Sequence, residues 1–382
     1  PGVMAPRTRA CFAPVVRVAL LLPLSGNNAA LGRALLDAAQ LALFDIGDQG
    51  LVLLPRDTGG TSEGAGSAAE AVLSAGATLI LGPLFAAEAG AVTRRARARG
   101  VPVISFSNDR AVTQVGAYMF GIAPQSQVER ILGYARSRGL SRYAALLPNN
   151  LFGATVEETM RATIPRLGAE LVAIERYDPT ASDVSPVVRR LVGAEVARRA
   201  VAREPRRGGG TSPVVQATSD AEVAFDAVFL PDAAERVLNT APVLSYYDVD
   251  PARVRYLGTA LWDDPRVGRE PALVGAWFTA PPPENRSDFA RRYRETYGRD
   301  PPRLATLAYD AVALAAVLAR GPRGADFSDR ALTSPSGCEG RDGIFRLRQD
   351  GMIERGLAVL EVRREGFRTL SPAPTTFQEL TR

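Results

Sequence analysis

Short apolar runs alternate with stretches of helical periodicity along this chain, the runs show no polar alternation, and the whole pattern restarts near residue 140. These three observations predict an α/β protein of two Rossmann-like lobes, each a parallel, doubly wound sheet, joined by a hinge. A strand that is apolar on both faces is covered on both faces. Strands that alternate with helices connect as right-handed βαβ units, which place the strands parallel.

The elements follow in order. Val15–Leu22 is an apolar strand broken by Pro23 and Gly26, and Ala29–Phe44 carries apolar residues at helical spacing. Leu51–Pro55 is a strand, Ser67–Ala75 a helix, and Thr78–Leu81 a strand ended by Gly82-Pro83. Ala86–Arg99 is a helix closed by Gly100, a residue suited to the left-handed position after a helix, and Val101–Ser105 is the next strand. The second series has strands at Tyr143–Leu147, Glu170–Arg176, Ala227–Leu230 and Arg253–Gly258, with helices at Thr155–Leu167, Ser185–Ala202 and about Ala233–Leu238. Ala280–Pro283 is a proline-rich link, Asp288–Tyr297 and Leu304–Ala319 are helices, and Gly340–Phe367 alternates in short strands with turns at Asp350-Gly351 and Glu365-Gly366. Lobe 1 is expected to comprise residues 15–121 plus 278–335, and lobe 2 residues 122–277 plus 336–377. Residues 1–14 form an N-terminal extension, and 203–220, with its glycine run, a mobile surface insertion.

Composition narrows the chemistry. The chain has 382 residues, 46 Lys+Arg against 41 Asp+Glu, and no histidine; every basic residue is arginine. Without histidine there is no Ser-His-Asp triad and no His-ligated metal, and without lysine no Schiff base and no P-loop lysine. Two cysteines cannot build a four-cysteine zinc site. A non-catalytic binding protein with no cofactor and no metal is expected. Net charge of +5 is small for this length, and the all-arginine set reads as coding bias. The longest apolar stretch, Leu304–Ala319, contains Asp310 and falls short of the ~20 residues a bilayer span needs, so no transmembrane segment is expected. Residues 1–14 show no apolar signal core. Cys11 follows Thr8, Arg9 and Ala10, poor neighbours for lipoprotein processing, and whether it pairs with Cys338 is left open.

Gly60-Thr61-Ser62-Glu63-Gly64 matches G-x-S-x-G, but a nucleophile elbow needs a histidine to activate the serine, so this reads as a flexible turn. Asp263-Asp264 and Asp248/Asp250 read as turn and capping acids rather than a catalytic pair or a calcium loop. Arg94, Arg95, Arg97 and Arg99, and the run Arg198, Arg199, Arg203, Arg206 and Arg207, lack interleaved aromatics, so no nucleic-acid partner is expected. In open parallel sheets ligands sit beyond the carboxyl ends of the strands. The turns there supply the candidate ligand-cleft residues: Ser25, Gly26, Asn27 and Asn28, then Gly82, Leu84 and Phe85, then Ser105 and Ser107 in the first half. Asn149, Phe152, Asp232 and Trp262 come from the second. Ser25 or Asn27 could equally cap the following helix.

Val18–Gly26, Leu79–Leu84 and Val101–Ser105 resemble the type I periplasmic binding fold of Leu/Ile/Val receptors. Tyr256–Trp262, Gly340–Arg346 and the Ala373-Pro374 tail are similar to the penicillin-binding protein activator (LpoA/LppC) family, the likeness running from about Val15 to Phe377. The resemblance implies a periplasmic or cell-envelope protein that contacts a bifunctional peptidoglycan synthase and regulates it without catalysis. The wider resemblance implies the alternative, a solute-binding protein of an ABC-type uptake system that closes its lobes around an amino acid, muropeptide or related small molecule. Such receptors place small hydroxyl residues after the Gly-Pro turn, where this chain has Phe85 and Ala86; Ser105 and Ser107 match the next receptor turn. The Trp262 loop is expected to face the cleft and report ligand by fluorescence.

Overall fold

The computed structural model describes residues 15–47, 50–193, 223–321 and 324–380. The extension 1–14 with Cys11, the insertion 203–220, the second arginine run and the end of the expected helix Ser185–Ala202 lie outside these residues. In chain order the first half holds β1 (Val16–Leu22), α1 (Ala29–Ile46), β2 (Leu51–Asp57), α2 (Ser62–Ser74), β3 (Leu79–Leu81), α3 (Ala86–Arg97), β4 (Val103–Ser105), α4 (Ala111–Gln114) and β5 (Tyr118–Met119). There follow α5 (Pro124–Ser137), β6 (Arg142–Pro148), α6 (Leu151–Arg166), β7 (Glu170–Tyr177), α7 (185–193), β8 (Ala227–Phe229), α8 (Ala234–Tyr246), β9 (Arg255–Gly258) and β10 (Trp277–Ala280). The last segment holds α9 (Pro283–Tyr297), α10 (Ala305–Ala319), α11 (Asp329–Leu332), β11 (Cys338–Gly340), β12 (Gly343–Leu347), β13 (Ile353–Arg355), β14 (Ala358–Val362), β15 (Phe367–Ser371) and α12 (Phe377–Leu380).

Two compact units result, Pro1–Gly121 with Glu284–Glu354, and Ile122–Pro283 with Arg355–Arg382. These limits place 278–283 in the second unit and 336–354 in the first, unlike the expected lobe boundaries. The reasons are specific. The expected proline-rich link Ala280–Pro283 begins at the last residue of β10, a strand that is hydrogen-bonded between β9 and β14. The β11–β12 segment is pinned to α10 instead: the fully buried Asp310 accepts from the N–H groups of Arg341 at 2.7 Å and Asp342 at 3.3 Å. A Cβ on Gly340 would lie 2.5 Å from the Asp310 carboxylate, so only glycine lets the strand approach. Asp342, also fully buried, pairs with Arg303 at 2.9 Å and accepts from Thr306 Oγ1 at 2.8 Å.

The sheet of the first unit has the order β2-β1-β3-β4-β5, all parallel. Val18–Leu22 are fully buried, as apolar strands covered on both faces must be. The alanine-rich α1 packs along α10, small side chains allowing the close approach. Its Asp37 accepts from Tyr293 and Arg299 and its Asp45 from Arg292 and Tyr309, which fastens the returning segment α9–α10 to the start of the chain. In the second unit the order is β15-β14-β10-β9-β8-β6-β7, parallel from β10 to β7 with β14 and β15 antiparallel at one edge. Alternate residues of β6 serve opposite cores: Ala144 and Leu146 join one cluster, Tyr143, Ala145 and Leu147 the other. Read without β14 and β15, both sheets share one order, in which the first strand of each lobe separates the second from the third.

Replacing Asp310 by Ala strands one buried and one part-buried N–H donor, and an unsatisfied buried polar group costs about 1–3 kcal/mol. Asp310→Ala is expected to lower the melting temperature by several degrees and Asp310→Asn, which keeps one acceptor, by less; differential scanning calorimetry of the two variants checks the order.

Candidate functional site

The carboxyl ends of the parallel strands define one rim on each unit, and the strand order puts a topological switch beside β1 in the first and beside β6 in the second, where open sheets of this kind bind ligands. Each switch is built by the same local device. A helix whose first turn must press against the last carbonyl of the preceding strand segment can do so only at a residue without Cβ. An added Cβ would lie 2.0 Å from Pro23 O at Gly32, 2.2 Å from Thr58 O at Gly64 and 1.9 Å from Pro148 O at Gly153. The residues between strand and helix are thereby compressed into short loops at the rim.

In the first unit Ser25, Gly26, Asn27 and Asn28 all lie exposed after β1. Neither Ser25 nor Asn28 makes a side-chain cap, and Gly26–Asn28 form a short 3-10 turn before α1. Ser25 instead turns to Asp57 at the end of β2. Asp57 Oδ1 accepts from the N–H groups of Leu24 at 2.8 Å, Ser25 at 3.2 Å and Gly59 at 2.8 Å. The Ser25 hydroxyl, above all, and these backbone donors together outweigh desolvation and hold the Asp57 carboxyl below its ordinary value. Asp57 is therefore a fixed, exposed anion that shapes the loop after β1. The G-x-S-x-G match is a capped helix start: Thr61 Oγ1 accepts from Gly64 N–H at 3.0 Å, and α2 begins at Ser62, five residues before the expected Ser67.

After β3, Gly82 sits at φ +100°, and an added Cβ would lie 2.2 Å from Leu21 O, so the turn requires glycine. Leu84 is buried and Phe85 half-buried. Phe85 has no side-chain acceptor to cap α3, and Glu88 supplies the link from the helix side, accepting from Phe85 N–H at 3.3 Å. Glu88 is 1% exposed, and its Oε1 has no hydrogen-bond partner among the described residues. Burial pushes its pKa up; the Thr58 hydroxyl and Phe85 N–H pull it down, and the Asp57 charge adds to the rise. Ser105 and Ser107 are buried. Ser105 Oγ donates to Pro83 O at 3.0 Å, and Ser107 Oγ accepts from Asp109 N–H at 3.0 Å, so both hydroxyls are engaged in shaping their turn.

In the second unit Asn149 is exposed after β6, with its N–H bonded to Tyr177 O at 2.7 Å, and Asn150 caps α6 through Gly153 N–H at 2.9 Å. Phe152 is half-buried against the β6 core, while Leu151 beside it is 65% exposed. Asp232, half-buried after β8, accepts from the Tyr177 hydroxyl and from Ala233 N–H. Trp262 departs from expectation. It is fully buried, its Nε1–H donates to Leu230 O at 3.1 Å, and its ring lies 6.2 Å from that of Phe278. A Cβ on Gly258 would fall 2.3 Å from the indole, so the ring covers the end of β9 as a core residue. Leu261, its neighbour, is the residue that faces out, 47% exposed. Leu151 and Leu261 are rim residues the sequence reading misses, since an apolar residue beside a larger aromatic reads as core. Asp264 caps its own turn through Arg266 N–H at 2.9 Å, and Asp250 accepts from Ala252 N–H at 2.9 Å, as turn and capping acids do. Among the described residues no group of acidic or cysteine side chains is placed to hold a metal.

Comparison with known proteins now places this architecture. The family model described as periplasmic binding protein matches residues 15–366, and the chain belongs to that family. Its fold is the type I periplasmic binding fold. A structure assigned to a branched-chain amino acid ABC transporter of Rhodospirillum rubrum is similar at 20% identity and TM-score 0.77, over 93% of this chain and 100% of that one. An ABC transporter substrate-binding protein of Sphaerobacter thermophilus is similar at 16% identity and TM-score 0.72, over 93% of this chain and 96% of that one. The closed leucine-, isoleucine-, valine-, threonine- and alanine-binding protein of Brucella ovis gives 19% identity and TM-score 0.69, over 94% and 95%. An uncharacterized protein of Rickettsia prowazekii is 24% identical over 176 residues, 46% of this chain; the alignment spans about half, 47%, of that curated relative. No described helix is long and apolar enough to cross a membrane.

Two outcomes are expected. In a Trp277→Phe variant, Trp262 emits at short wavelength and resists quenching by iodide; strong quenching would place it at the surface. For Glu88, a carboxyl whose pKa is higher folded than unfolded holds an extra proton in the native state. Its penalty is absent below the unfolded value and grows as pH rises toward the folded one. The stability of Glu88→Gln relative to the native chain is therefore expected to increase as pH is raised above 4.5, the ordinary glutamate value; parallel denaturant curves across pH would contradict this.

Proposed function

We propose that the protein is a non-catalytic solute-binding protein of an ABC-type uptake system, acting in the periplasm on a small organic molecule. The observation that carries this reading is the pair of switch-point rims, each presenting exposed residues on a scaffold of short glycine-set loops. Membership of the periplasmic binding protein family, and similarity to substrate-binding structures over almost the full chain, support it.

The rim chemistry narrows the ligand class. The turn after β3 has Phe85 and Ala86 where amino-acid receptors place hydroxyls, and the Ser105 and Ser107 hydroxyls already have internal partners. The exposed anion Asp57 favours a ligand with hydrogen-bond donors or a positive charge. Leu151 and Leu261 favour an apolar portion. Each rim taken by itself thus has its own preference, the first for hydrogen-bond donors and the second for hydrocarbon.

The narrower reading, regulation of a peptidoglycan synthase, draws on Tyr256–Trp262 and Gly340–Arg346. In the first segment Gly258 and Trp262 are occupied in covering β9; in the second Gly340 and Asp342 bind α10. Their residue types are thus accounted for by internal packing, and the solute-binding reading is preferred.

A calorimetric and thermal-shift screen of apolar amino acids, aromatic acids, amines and muropeptides tests it, since ligand bound to the native state raises the melting temperature. We expect at least one ligand of these classes to bind. Leu261→Ala should leave stability unchanged and weaken binding by roughly three- to tenfold, in keeping with the loss of about 1 kcal/mol of buried hydrocarbon. A flat screen, with stimulation of glycan-strand synthesis by a co-purified synthase, would reverse the preference.

A further inference from the structure

Two hydroxyls in the interior of the second unit have no protein partner. Thr259 and Thr279 are fully buried, and neither Oγ1 has a hydrogen-bond partner among the described residues. They are neighbours by register. β9 and β10 run parallel with Phe278 beside Gly258, and each threonine directly follows one of this pair. The Phe278 ring and the Cβ direction of Gly258 belong to the core cluster that holds Trp262. Leu257 and Trp277, one residue earlier, pack instead in the cluster beneath α5. Alternation along a strand therefore turns both threonines toward α5. Gln127, 4% exposed, ties the first turn of that helix to the same spot. Its Oε1 accepts from Ala260 N–H at 2.8 Å, and its Nε2–H donates to Ile122 O and Ala123 O, each at 3.4 Å.

A buried hydroxyl that makes no hydrogen bond is costly, and two side by side call for a common partner. Adjacent strands lie about 4.8 Å apart, too far for the hydroxyls to bond each other. One water making two bonds of about 2.8 Å spans roughly that distance. We propose that a single ordered water is seated between Thr259 and Thr279, with the second lone pair of Gln127 Oε1 as its third partner. Three hydrogen bonds are the usual complement of a buried water. The water joins β9, β10 and α5 at the root of the turn Ala260–Trp262, which carries the exposed Leu261. It is part of the fold and is present whether or not a solute is bound.

Thr259→Val and Thr279→Val in the full chain keep each side chain's shape and remove its hydroxyl. Each single variant is expected to melt about 2–4 °C lower, because the water loses a bond and the other hydroxyl loses its support. The double variant should lose less than the sum of the two, since no hydroxyl is then left stranded. Oxygen-17 magnetic relaxation dispersion counts long-lived internal waters, and the double variant should hold one fewer than the native chain. A high-resolution crystal structure of the native chain should show a water within hydrogen-bond distance of both Oγ1 atoms, a result that needs no variant to fold. Single variants as stable as the native chain, or more so, overturn the proposal, because a hydroxyl with no partner is better replaced by a methyl group. An unchanged water count in the folded double variant overturns it as well, since the hydroxyls would then bond each other. So does a native crystal structure with no density between them.

Discussion

The contact between the first turn of a helix and the carbonyl at, or one residue past, the end of the strand before it governs this molecule. Gly32, Gly64 and Gly153 make it, two in the first unit and one in the second, and no other residue type can. Everything at the rims follows from that closeness. Only short loops can connect elements so tightly apposed, and their backbone N–H groups, left without helical partners, gather at the strand ends. Asp57 collects three of them at once. Loops held this closely by their scaffold have less freedom to lose, which lowers the cost of ordering them on binding.

A second constraint holds the returning segment. α9, α10 and β11–β12 join the first unit through carboxylates: Asp37 and Asp45 of α1 outside, Asp310 and Asp342 inside. Arginine answers most of them, and its planar fork suits carboxylates geometrically. The buried pair Arg303–Asp342 adds little net energy against a hydrophobic substitute, because desolvating two charges is expensive. Its value is positional, since Asp310 and Asp342 fix the register at which the chain re-enters.

Much of the fold was legible because parallel strands buried on both faces have an unmistakable composition. β1, β3, β4, β6 and β8 all announce themselves as apolar runs. β10 does not, because Trp277–Ala280 merges into prolines, and its place depends on β9 and β14, distant in sequence. α5 went unassigned although Val128, Ile131, Leu132 and Ala135 lie at helical spacing; its polar residues and leading Pro124 obscure the stripe. The position of the candidate site was legible from strand ends, but the side chains facing out were not. Trp262 and Leu261 are adjacent and opposite in exposure, and only the proximity of Gly258 decides which turns inward. Glu88 carries no sequence signal beyond a helix-start acid; its burial comes from the packing of α3 against the turn at Thr58.

The guanidinium-only ionic frame has a consequence for how the protein meets changes in acidity. With neither imidazole nor side-chain ammonium present, ordinary titration leaves a wide silent interval between the carboxylates near pH 4 and the phenols near pH 10. Across it the electrostatic character of the surface is nearly constant, and above it, where an ammonium would deprotonate, guanidinium ion pairs persist. The molecule is electrically quiet where most proteins change charge. Against that background the buried Glu88, which burial pushes above the ordinary carboxylate value, and the two thiols are the side chains that depart from the pattern.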